Sequence, residues 1–84
     1  MSEETRMYTV TQATKDTLQA MLPGKEYTGR ELHESIIRNL RSHGNPAQPY
    51  DSSTLRSVRQ YSAMYGVKCH LAARKSKYVK EVLL

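Results

Sequence analysis

Arg56 and Gln60 stand four residues apart in the run DSSTLRSVRQY, whose spacing predicts a helix. At 3.6 residues per turn their side chains project together, one turn apart. Arginine can donate to both acceptors of guanine, and glutamine can pair likewise with adenine, in a groove that admits a helix. Ser53, Ser57 and Met64 share this outward stripe, and the two serines are small enough to allow close approach to a polyanion. Hydroxyls at a helix N-terminus, here Ser53 and Thr54, can donate to phosphate beside the exposed amides. Arg59 lies nearer the inward side, from which a long side chain reaches either a phosphate or an acid. Further on, Lys68 and the run Arg74-Lys75-Ser76-Lys77 supply cations that track phosphates without reading sequence. The candidate binding residues are therefore Ser53, Thr54, Arg56, Ser57, Arg59, Gln60, Lys68, Arg74, Lys75 and Lys77.

The elements that must position them follow from periodicity. Asp51, Ser52 and Ser53 are good N-cap residues, and Leu55, Val58, Ser62 and Tyr65 form the inward stripe of one helix ending at Gly66. Val67, Cys69 and Leu71 alternate with Lys68 and His70, a half-buried strand. A charged turn at 74–77 leads into a second strand, Tyr78 to Leu84. Upstream, Thr9 and Gln12 open a first helix that buries Val10, Ala13, Thr14, Thr17, Leu18 and Met21 and stops at Leu22-Pro23-Gly24. Lys25-Glu26-Tyr27 is expected to add a short third strand beside the hairpin. Thr28 and Glu31 form a capping box for a second helix that buries Leu32, Ile36, Ile37 and Leu40. Glu34 and Arg38 are spaced for a helical ion pair on its outer side. Gly44 ends that helix, and Asn45 to Tyr50 form a turn-rich connection with two prolines. Residues 1–8 read as a flexible tail, and 9–84 as one domain.

Charge location narrows the partner. Residues 1–51 hold six basic and seven acidic residues, whereas residues 52–84 hold seven basic residues against Glu81 alone. The excess positive charge thus falls on the helix-plus-hairpin unit. This points to a polyanion, nucleic acid before membrane. A merely solvated basic face is the plain alternative.

Other classes find little support in these 84 residues. With 38% hydrophobic residues, no Trp, no Phe and six Tyr, the core is lean. Tyr61, Tyr65 and Tyr78 are accordingly expected to pack rather than to stack on unpaired bases. Cys69 is the only cysteine, so no internal disulfide forms. His33, Cys69 and His70 do not read as a zinc site, because adjacent strand residues point to opposite faces and no fourth ligand has finger spacing. His33 is expected to be a hydrogen-bonded residue at the core edge. No nucleophile–base set, glycine-rich phosphate loop or paired acids suggests an enzyme. No apolar run approaches the roughly 20 residues of a membrane span, and no signal-peptide pattern opens the chain, so a cytoplasmic protein without metal or cofactor is expected.

The order helix, strand, helix, helix, strand, strand resembles the winged helix-turn-helix over residues 9–84. Thr28-Gly29-Arg30-Glu31-Leu32 and Asp51-Ser52-Ser53-Thr54-Leu55-Arg56, which open the second and third helices, carry the likeness. The connection between those helices is longer than the tightest helix-turn-helix turn. The resemblance implies an α+β fold of three helices with a small antiparallel sheet. It also implies a third helix in the major groove, with Ser53, Arg56, Ser57 and Gln60 at base edges and Arg74, Lys75 and Lys77 as the wing. The expected function is sequence-selective binding of double-stranded DNA by a small regulator or architectural factor of transcription or recombination. A winged helix that binds an acidic protein, or RNA, remains open on the same residues. Every helix is committed to one core, which implies a monomer or weak homodimer.

Overall fold

A computed structural model describes residues 8–70 and 76–82. They form an α+β fold: α1 (Val10–Ala20), β1 (Glu26–Thr28), α2 (Gly29–Ser42), α3 (Asp51–Tyr61), a short 3-10 helix (Ser62–Tyr65), β2 (Val67–His70) and β3 (Lys77–Lys80). The element order is the one expected. The three strands make an antiparallel sheet in the order β1-β3-β2, with Tyr27 opposite Tyr78 and Cys69 opposite Tyr78. No helix among the described residues is long and apolar enough to cross a membrane.

Each helix forms for local reasons. Thr9 Oγ1 accepts from the Gln12 amide at 3.2 Å and caps α1. Ala13, Thr14, Thr17 and Leu18 are its buried residues, so the expected face is the observed one. Its two buried threonines stay satisfied in the core. The Thr14 hydroxyl donates to Val10 O at 2.8 Å, and Thr17 Oγ1 accepts from Asn39 Nδ2 of α2 at 2.9 Å. The capping box of α2 is complete: Glu31 N donates to Thr28 Oγ1 at 3.1 Å, and Thr28 N donates to Glu31 Oε1 at 2.8 Å. Leu32, Ile36 and Leu40 are buried, while Ile37 is only half-buried. The expected Glu34–Arg38 pair is replaced by Arg30–Glu34 at 3.2 Å, one turn on the other side of the same carboxylate.

The proline-containing connection is held by two side chains. Arg41 donates to Asn45 O at 3.0 Å and Ala47 O at 2.7 Å and also binds Gln48 Oε1. Buried Asn45 donates to Tyr8 O at 2.6 Å and accepts from the Ala47 amide at 2.8 Å. Tyr8, expected in the tail, is thereby tied to the domain. Its ring stacks on His43 at 3.7 Å, and its hydroxyl donates to Asp16. The rest of the expected tail, residues 1–7, lies outside the described residues.

Three expectations for the C-terminal unit are corrected. The N-cap of α3 is Tyr50, with no side-chain cap bond, because the Asp51-Ser52-Ser53 run already has helical backbone. The helix ends at Tyr61, and the 3-10 turn carries the chain to Gly66, whose φ of +69° needs a glycine. The last strand covers Lys77–Lys80 and does not continue through Glu81 and Val82, while residues 83 and 84 of the expected strand lie outside the described residues. Lys77 is therefore a strand residue, not part of the turn.

The core lies where the sheet meets the helices. Tyr78, Leu18, Leu32, Ile36, Leu40 and Val58 are its largest fully buried apolar side chains. Leu55, expected among them, is half-buried, and Leu71 lies outside the described residues. Tyr61, Tyr65 and Cys69 pack against this core from its edge.

Candidate nucleic-acid interface

Helix α3 turns two unlike arcs to its surroundings. At about 100° per residue, Ser52, Ser53, Arg56, Arg59 and Gln60 fall on one arc, and all five are exposed. Thr54, Val58 and Tyr61 fall on the opposite arc and pack inward. Ser57 is half-buried at the border. Arg59 is exposed, at the edge of the arc that borders half-buried Leu55. Ser52, in sequence only a cap candidate, sits between Arg56 and Arg59 on the arc, and the shared angle is the signal for it.

Thr54 does not belong to this arc. It is 0% exposed, and its Oγ1 lies 2.7 Å from His33 Nδ1 of α2 while its hydroxyl donates to Asp51 O at 3.0 Å. A side chain so enclosed cannot touch a phosphate. The sequence signal was its position four residues before Val58. His33 is the hydrogen-bonded core-edge residue expected.

Electrostatics separate the cations. Among the described residues, Arg56, Arg59 and Gln60 make no hydrogen bond or ion pair with another side chain. Lys68 and Lys77, on the outward face of the sheet, are each paired: Lys68 with Glu81 at 3.2 Å, Lys77 with Glu26 at 3.3 Å. Lys80 turns inward and donates to Leu18 O and Gln19 O, both at 3.0 Å, so it caps the C-terminus of α1. Arg74 and Lys75 lie outside the described residues. The positive charge expected on the helix-plus-hairpin unit is therefore unevenly available among the described residues: the arginines of α3 are unpaired, and the lysines of the outward sheet face are matched by glutamates.

Two further features adjoin α3. An open groove of about 820 Å³ runs between α2 and the start of α3, its walls including Arg30, His33, Glu34, Ile37, Tyr50 and Asp51. Lys15 of α1 sits 5.1 Å from the Tyr61 ring centroid, which holds that ring in packing. Cys69 is half-buried and His70 exposed, on opposite faces of β2. Among the described residues, no three His, Cys, Asp or Glu side chains converge as a metal site. No protein-family model, curated protein or solved structure matches the chain.

Proposed function

We propose that the chain is a winged helix that binds double-stranded DNA sequence-selectively through the outward arc of α3. The observation that carries this reading is the pair of exposed guanidiniums, Arg56 and Arg59, left unpaired beside Gln60 on a surface otherwise made of serines. An exposed arginine usually has little to lose by taking a new partner, and a polyanion offers many. The sheet order β1-β3-β2, with α3 leading into the paired strands β2 and β3, supports the winged-helix assignment.

The division of labour follows from side-chain chemistry. Arg56 donates to the O6 and N7 acceptors of guanine in the major groove, and Gln60 addresses adenine one turn along. Ser52 and Ser53 take a phosphate beside the free amides of α3, and Arg59 takes the next phosphate. Lys68 and Lys77, with Arg74 and Lys75 of the expected wing, add backbone contacts that fix register rather than sequence. A small regulator or architectural factor of transcription or recombination fits this arrangement.

A salt titration tests the reading. Binding to random duplex DNA should weaken with a slope of log affinity against log salt of roughly −0.9 for each phosphate engaged. A duplex RNA and an acidic peptide should bind more weakly at every salt concentration. Capture of the acidic peptide, with no DNA binding at low salt, would transfer the arc to a protein partner.

A further inference from the structure

We propose that His33 is a positioning residue for sequence readout: by donating to Thr54 it sets the rotation of α3 about its own axis. This rests on the DNA-binding reading of the outward arc.

The geometry assigns the proton. The Thr54 hydroxyl has one hydrogen, which it donates to Asp51 O at 3.0 Å. With that hydrogen on Asp51 O, its oxygen accepts from His33 Nδ1, 2.7 Å away, and we assign the ring proton to Nδ1. Thr54 is wholly buried, and its oxygen would be left without that donor if His33 were lost. The bond matters more because α3 lacks a side-chain N-cap. Its first turn is instead tied to α2 through this pair.

A second contact grips the other flank of α3. Gly29, at the start of α2, lies so close that a Cβ there would stand 3.0 Å from Leu55 Cδ1. Thr54 and Leu55 sit about 100° apart around α3, with Val58 between them. The helix is thus held from two sides on its inward arc, while Arg56 and Gln60 project from the opposite one. Leverage makes this hold consequential. Reader atoms stand about 6 Å from the helix axis, so a 20° roll moves them by about 2 Å, enough to break a hydrogen bond. The same roll barely changes the charge presented to phosphates. Loosening the hold should therefore erode discrimination and leave non-specific binding in place.

Four variants test this on a duplex selected from a random pool and on random duplex. Asparagine places an amide N–H near the site of Nδ1, and glutamine places it near Nε2, so His33→Asn should substitute and His33→Gln should not. Thr54→Ser keeps the hydroxyl and Thr54→Val removes it. Expected are a drop of about five-fold or more in preference for the selected duplex in His33→Gln and Thr54→Val, with the salt slope unchanged. His33→Asn and Thr54→Ser should stay within two-fold of wild type. Preservation of the preference in all four, or equal losses on both duplexes, overturns the positioning role. Nitrogen-15 correlation spectra of the free protein read the ring directly, and a lone proton on Nε2 overturns the assignment whether or not DNA binds. A wild type that binds no duplex overturns the DNA reading and the readout role with it.

Discussion

The outward arc of α3 and the outward face of the sheet carry the same sign of side chain in sequence but different charge in space. On α3, Arg56 and Arg59 make no ion pair among the described residues. On the sheet, Lys68 and Lys77 each meet a glutamate, and Lys80 is spent on the carbonyls of α1. The difference lies in neighbours. The one carboxylate of α3, Asp51, pairs with neither arginine, whereas antiparallel pairing brings Glu26 from the distant β1 alongside β3. Counting charge by chain segment credits the hairpin with cations whose fields are already partly cancelled. Affinity for a polyanion should therefore depend on α3 more than on the described sheet residues.

The largest expected effect removes both regions together. Leu40 is 0% exposed in the core beneath α2, so Leu40→Ala should cost about 2–5 kcal/mol. That is a large share of the roughly 5–10 kcal/mol available to a domain of this size. Denaturant melts of the two proteins measure it, and an unchanged midpoint would contradict the core described.

Next come the bare arginines. Arg56→Ala should lose about 1–3 kcal/mol of affinity on a selected duplex and less on random DNA. Lys68→Ala and Lys77→Ala should each lose less than Arg56→Ala on either duplex. Parallel binding curves decide this, and lysine losses as large as that of Arg56 would erase the contrast between the two faces.

Sharpening runs in the opposite direction. A carboxylate about 7 Å from a phosphate repels it by about 0.6 kcal/mol in water, so Glu26→Gln with Glu81→Gln should tighten binding by up to ten-fold at low salt. The gain should shrink towards physiological salt as screening sets in. Unchanged affinity at low ionic strength would mean the sheet face stays away from the DNA.

The smallest effect touches neither face and serves as a control. Burial, together with the Asp16 carboxylate that its hydroxyl meets, pushes the Tyr8 phenol up to about 12, above its usual 10. The folded state thus keeps a proton that the unfolded state gives up between about pH 10 and 12. The Tyr8 contribution to stability is complete below pH 10 and is lost as pH rises through that window. Tyr8→Phe should melt with a flatter dependence there than wild type.

Much of the fold was legible because its determinants are local. The Thr28–Glu31 capping box, the buried face of α1 and the Leu32, Ile36, Leu40 stripe each depend on residues within a turn or two of one another. The outward arc of α3 was legible for the same reason, apart from Ser52. What escaped depends on distant residues or on a choice between equals. Glu34 has an arginine four residues away on both sides, and spacing cannot say that Arg30 is taken. Lys80 finds its carbonyls across the chain in α1, Lys77 its glutamate in β1, and Thr54 its histidine in α2. Spacing from Val58 puts Thr54 on the inward side, but only the packing of α2 supplies the histidine it meets there.

The most direct measurement maps amide shifts of the labelled protein during titration with a short duplex. The account places the largest changes at Ser52, Ser53, Arg56, Arg59 and Gln60, with smaller ones at Lys68 and Lys77 and little at Thr54. Changes centred on the sheet, or on the groove around Tyr50 and Asp51, would contradict it, as would a spectrum that does not move at low salt.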